Sequence, residues 1–197
     1  MRFRGFWLGI AIGAISTSLV GQWNSSDAGR ADPPKCVPAE TVAEYVHSVI
    51  QADRTFYTTD IVERMQMRGI VVAAENWRET SKLPLPAQFL MESGRLVAQG
   101  RSGLRFRLIS NWAINKDNMP RTAFEETGLL QIAVSPERPY KGTKTEHGIE
   151  YFEALYPDIA VSQSCVRCHN AHPKSPKKDF RVGDVMGGLL LSIPVSR

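Results

Sequence analysis

The run Cys165-Val166-Arg167-Cys168-His169 constrains this chain more than any other stretch. Two thiols separated by two residues reach the same edge of a flat macrocycle. A histidine beside the second thiol then brings a ring nitrogen toward the macrocycle's centre. C-x-x-C-H is the spacing at which c-type haem is attached, the sulfurs adding across its vinyl groups and the histidine binding iron. The expectation is one covalently held haem c on Cys165 and Cys168, with His169 as axial iron ligand. Three other readings use the same residues. A redox-active C-x-x-C normally opens a helix in a βαβ unit, whereas this run follows the loop-like Pro157 to Ser164. Zinc would recruit Cys165, Cys168, His169 and His172, but structural zinc usually takes its second ligand pair from elsewhere in the chain, and none stands out. A plain local disulfide is the third.

A chain of 197 residues with 43% hydrophobic content suits one globular domain plus an appendage. The net charge of +4 is mild, and no basic stripe with interleaved aromatics occurs, so nucleic-acid binding is not expected. The appendage is N-terminal. Arg2 and Arg4 precede an uncharged, mainly apolar run from Gly5 to Trp23, the pattern of an export signal. Ser26-Asp27-Ala28 supplies small residues for cleavage, yet the run also approaches the roughly 20 residues that span a bilayer. Residues 1–28 are therefore read as a signal peptide or membrane anchor, 29–38 as a linker and 39–197 as the folded domain. Either way the domain is exported to the periplasm or the outer membrane face, touching the membrane only through that segment. Export agrees with the motif, because c-type haem is attached outside the bacterial cytoplasm by dedicated machinery.

Along the domain, Glu40 to Arg68 reads as a long helix with Val42, Val46, Val49, Ile50, Phe56 and Tyr57 as its buried stripe. Asp53 and Asp60 interrupt that stripe, which suggests a bend, solvent contact or a partner such as Arg54. Gly69 ends the helix. Ile70 to Ala74 is apolar and β-branched, hence an expected strand. Leu83-Pro84-Leu85-Pro86 leads stiffly into a helix from Ala87 to Gln99, stopped by Gly100. Leu104 to Ser110 alternates as a half-exposed strand. Asn115 to Met119 is turn-like, and Pro120 opens a helix to about Val134. Tyr140 to Gly142 and Ile149 to Tyr156 are strands joined around His147-Gly148. A loop carries the cysteine motif, with Pro173 and Pro176 keeping its far side irregular. Val185 to Val195 is a closing apolar strand in which Gly187 and Gly188, after Gly183, suggest close approach by something bulky. The order is α+β, a long N-terminal helix followed by a PAS-like antiparallel sheet with flanking helices.

The runs Arg54-Thr55-Phe56-Tyr57, Leu83-Pro84-Leu85-Pro86-Ala87-Gln88, Trp112-Ala113-Ile114-Asn115 and Leu155-Tyr156-Pro157-Asp158 carry a family likeness. So do Cys165 to His172 and Gly183-Asp184-Val185-Met186-Gly187-Gly188. From about Ala39 to Val195 the sequence resembles the periplasmic, PAS-like domains with a single c-type haem found in bacterial sensors and as free-standing cytochromes. The resemblance implies haem at one end of the sheet, bound by Cys165, Cys168 and His169, and a role in redox or small-ligand sensing. In related proteins the opposite face of the iron is filled by residues of different types, cysteine or methionine in some.

That sixth position decides what a haem does. A second strong ligand makes an electron carrier, while an open site takes a gas. Cys36, Met65, Met67, His47, Met119, Met186, His147 and His172 are the soft or nitrogenous side chains available. Cys36 is a lone thiol in an oxidising compartment, the methionines at helical spacing also suit a core, His172 suits a surface or propionate contact, and His147 a turn. Arg167, Lys174, Lys177, Lys178 and Arg181 form a basic neighbourhood suited to propionates or an acidic partner. The leading expectation is a sensor-type module for redox state or a diatomic gas. No kinase or cyclase segment follows the last strand, so its output would pass through a signalling partner. The alternative is a periplasmic electron-transfer cytochrome. An enzyme is not expected, because nothing in the spacing selects a distal acid–base group such as His47 or Asp60.

Overall fold

The structure is a computed structural model that describes residues 36–195. The export segment expected over 1–28, and most of the linker expected over 29–38, lie outside the described residues. The chain divides into two units, Met1–Cys36 and Val37–Arg197, and the second is the domain described below. Among the described residues, no helix is long and apolar enough to cross a membrane.

The first helix, α1 (Ala39–Phe56), continues through a π-helical segment (Tyr57–Glu63) into α2 (Arg64–Met67). It ends at Gly69, whose φ of 65° is left-handed, with Ile70 N–H bonded back to the Met65 carbonyl. The inner face carries Val42, Ala43, Val46 and Ile50. Val49 and Phe56, expected in the buried stripe, are instead 61% and 60% exposed. The correction has a simple geometry: the stripe drifts with the 3.6-residue period, so Ile50 is followed inward by Arg54 rather than by Phe56. Asp53 and Asp60 face solvent and need no partner in the core.

Residues Ile70 to Ala74 do not form the expected strand; they make one isolated parallel bridge, Ala73 to Leu83. Ile70 and Val72 stay exposed, and the segment adds to neither sheet edge. Helix α3 (Pro86–Ala98) follows, with the Gln88 side chain accepting the Leu85 N–H at 3.0 Å. Strand β1 (Arg105–Ile109) leads to a 3-10 turn, Lys116–Asn118, and then to α4 (Ala123–Val134). Pro120 does not open α4; Thr122 caps it, its hydroxyl accepting the Glu125 N–H at 3.2 Å. β2 (Tyr140–Glu146) and β3 (Ile149–Ile159) form a hairpin on the two-residue turn His147-Gly148, both at positive φ. A short helix, α5 (Gln163–Ala171), precedes β4 (Val185–Pro194).

The four strands lie in the order β1-β4-β3-β2, every pair antiparallel. α1 and α3 cover one face through Ala43, Ile50 and Leu90 against Leu108, Ala154, Tyr156, Leu189, Leu191 and Ile193. α4 covers the other through Leu129 and Ile132 against Ile109, Leu155 and Leu190. β4 is thus buried on both faces, which is why it reads as an unbroken apolar run rather than an alternating one. A Cβ on Gly188 would sit 2.6 Å from Leu155 Cδ1 and 2.9 Å from Ile132 Cδ1. The bulky neighbours expected are therefore core side chains at Gly188, whereas Gly187 faces the Ile109 backbone carbonyl and Gly183 has open space around it.

Candidate haem-attachment site

Residues Cys165 to His169 sit on α5, not in a loop. The preceding stretch is not loop-like either, because β3 runs through Pro157 and ends only at Ile159. Pro157 lies beyond Leu155, the last residue β2 pairs, where proline is tolerated as it is at an edge. Ser162 caps α5, its hydroxyl accepting the Cys165 N–H at 3.4 Å. Val166 anchors the helix in a small cluster with Ala160, Phe180 and Met186 at the end of the sheet. Asn170 fixes its far end: the side-chain amide donates to the Phe180 carbonyl at 2.9 Å and accepts the Phe180 N–H at 3.0 Å.

This frame puts Cys165, Cys168 and His169 on one face of α5, at helical spacings of three and four. Both cysteines are free thiols, Cys168 exposed and Cys165 partly covered. Burial pushes the Cys168 thiol above its usual value, with smaller contributions from Glu75 and Cys165. The His169 ring packs edge-on against Phe180, with centroids 5.8 Å apart. Its Nδ1 is buried without a hydrogen-bond partner. Burial, then His172 and Arg54, hold the imidazole below its ordinary pKa, which favours the neutral form that ligates metal.

The donor set fits a covalently attached haem. Two free sulfurs share a helix face with a neutral imidazole whose orphaned nitrogen is out of water's reach. The competing readings fare less well. Among the described residues, no group of three or more His, Cys, Asp or Glu side chains is arranged to hold a metal ion, and His172 is turned to Glu75 at 2.9 Å. A thioredoxin-like dithiol would share the helical setting, but the sheet here is antiparallel and contains no βαβ unit among the described residues.

The candidates for the sixth ligand are scattered. Met67, 80% exposed, lines a crevice of about 250 Å³ with Glu63, Gln66, Gln163, Ser164 and Arg167. Met65 lies on the same short helix, while Met186 is buried beside Val166. His47 stacks on the Tyr156 ring with centroids 3.9 Å apart. His147 is a hairpin residue, Met119 is exposed, and Cys36 belongs to the other unit. Of the basic neighbourhood, Lys177 pairs with Asp179 at 2.6 Å and lies over Phe180, while Arg167 is exposed.

Sequence reasoning placed Arg54 only as a partner for Asp53 or Asp60, and gave Asn170 no role. The signal for Arg54 was present, since it falls four residues after Ile50 on the apolar stripe, where a charge needs a buried partner. That partner is Asp158, far away in sequence.

Fold and site together define a small α+β domain with a thiol–thiol–imidazole helix at one end of an antiparallel sheet. The chain belongs to the Tll0287-like family, whose model (Tll0287) matches residues 37–194. Among solved structures it is similar to the cyanobacterial heme-protein Tll0287, at 19% identity and a TM-score of 0.47, over 82% of this chain and 99% of that one. No curated protein matches it.

Proposed function

We propose that this is an exported haem protein of PAS-like, sensor type, carrying one haem c on α5. In this reading Cys165 and Cys168 would give the two thioether links and His169 would bind the iron. The observation that carries it is the single helix face holding both free thiols and a buried, unpaired imidazole nitrogen. Membership of a family whose namesake is described as a heme-protein supports haem binding. When bound, the haem supplies a one-electron Fe(III)/Fe(II) couple and a coordination site for a diatomic gas. The chain's own part is to orient and shield. Asn170 and Phe180 hold the His169 ring in place, and Val166 keeps α5 anchored. The partners are the haem-attachment machinery and a redox or signalling protein in the periplasm or at the outer membrane face, with no catalysis by the domain itself.

Electron transfer is the second reading, favoured by the exposure of Cys168, which would leave one thioether link at the surface within reach of a partner. Expression in a host competent for cytochrome c maturation tests the shared premise. Intact mass should rise by one haem, and Cys165→Ser/Cys168→Ser should abolish the gain. An unmodified mass with freely titrating thiols would refute haem attachment. On the loaded ferrous protein, a CO-difference spectrum separates the two roles: rapid binding supports gas sensing, and indifference to CO supports electron transfer or redox sensing.

A further inference from the structure

The long helix buries a charge on its inner face. Only 7% of Arg54 is exposed, and its guanidinium pairs through Nη1 with Asp158. Its Nε is buried with no partner. The π-helical segment keeps Thr58 and Val62 buried at the following four-residue steps, and Thr58 Oγ1 donates to the Arg54 carbonyl at 2.7 Å. Asp158 sits at the register shift where β3 gives way to the turn leading into α5. Two residues on, Ala160 is held from both sides, its N–H bonded to the Asp184 carbonyl at 2.9 Å and its carbonyl to the Gly183 N–H at 3.0 Å. The ion pair therefore ties α1 to the rigid strand end that launches the cysteine helix. Asp158 is one residue from the end of β3, and α5 begins at Gln163, so the pair sits at the base of the helix that carries the motif.

We propose that the Arg54–Asp158 pair balances the reduction potential of a haem carried on α5, each charge offsetting the other's pull on the iron, with Arg54 a positioning residue that neutralises Asp158 at the strand end before the motif. This rests on the covalent-haem reading above. Reduction adds one electron at the iron, so a nearby buried cation favours the ferrous state and a buried anion the ferric state. As a pair the two charges largely cancel. Removing one member exposes the other.

The test is the midpoint of loaded protein at pH 7 for Arg54→Gln, Asp158→Asn, the double variant and Arg54→Lys. Arg54→Gln should lower the midpoint and Asp158→Asn should raise it. Each shift should be about tenfold in the reduction equilibrium, or 59 mV for one electron. The double variant, which leaves no unpaired buried charge and is the one most secure in folding, should fall between them. Arg54→Lys should stay near the starting value. Unmoved midpoints, or shifts of the same sign in Arg54→Gln and Asp158→Asn, would overturn the assignment, because a merely structural role gives no opposed pair. If Arg54→Gln does not fold, Asp158→Asn must still rise and Arg54→Lys must still hold. Covalent haem content is read first: its absence from the unsubstituted protein removes the attachment reading itself, whereas loaded protein with unmoved midpoints removes only the role of the pair.

Discussion

The domain buries two arginine–carboxylate pairs, one on each face of its sheet, and they differ in what surrounds them. Arg107 of β1 reaches Glu125 in the first turn of α4 at 2.5 Å, and Glu125 also accepts the Arg121 backbone N–H at 2.6 Å. Everything around that carboxylate is scaffold, so the pair fastens α4 to the sheet. Arg54 and Asp158 make the same kind of contact between α1 and β3, but at the strand end that leads into the cysteine helix. Each arginine leaves one nitrogen without a partner, Arg107 Nη1 and Arg54 Nε, so incomplete pairing does not distinguish them. Location does. The lesson is that a paired charge is read by its neighbours: one pair is a fastening, the other a balance of two charges at the approach to a site.

The largest effect should come from breaking the fastening. Glu125 is 5% exposed, so Glu125→Ala leaves Arg107 uncompensated on the α4 face. A loss of about 2 kcal/mol in urea denaturation is expected, because removing the buried partner leaves the half-buried Arg107 only partly rehydrated. The haem bands of the folded fraction should not move. Displaced bands would show that the two faces are coupled and would collapse the contrast between the pairs.

Much of the scaffold is legible in the sequence because it is local. The apolar run of β4, the proline-led start of α3 and the His147-Gly148 turn each follow from a few neighbouring residues. What is hidden depends on distant partners. Ile70 to Ala74 has strand composition but no sheet edge to join. Arg54 has Asp53 and Asp60 nearby in sequence, yet the carboxylate that meets it among the described residues is Asp158. Spacing alone proposes the three residues of the motif, whereas the helix beneath them is not legible, because the loop-like Pro157 lies within a strand whose partner, β4, comes later in the chain.

A smaller effect distinguishes the faces by pH. Glu153 lies 5% exposed on the α4 face, where Ser192 Oγ donates to its Oε1 at 3.1 Å. Burial pushes its carboxyl above the usual value; the Ser192 hydrogen bond lowers it by less, and Glu125 adds to the rise. The folded state then binds the proton more tightly than the unfolded chain. Stability from this group is fully present below the unfolded value of 4.5 and is lost as pH rises through the folded one. Glu153→Gln keeps an acceptor for Ser192 without the charge. It should raise Tm by about 3 °C at pH 7, with the gain vanishing below about pH 4.5. A gain that persists at low pH would have another cause.

The opposite sign is expected across the sheet. His47 of α1, on the face that holds Arg54, is pushed below its ordinary pKa by burial as it stacks on Tyr156. Its neutral form belongs to the folded state, and the unfolded chain takes up the proton first. The stability it contributes is present above the unfolded value of 6.5 and is lost as pH falls through the folded one. Lowering the pH from 7.5 to 5 should therefore cost the unsubstituted protein stability that His47→Phe, which keeps an aromatic ring on Tyr156, does not lose. The difference between the two Tm drops should be about 1 to 2 °C. If both proteins lose the same amount, the acid sensitivity of this face lies elsewhere. If His47→Phe loses less, Glu153 and His47 bound a pH window from opposite sides, one on each face, and neither needs a haem to do so.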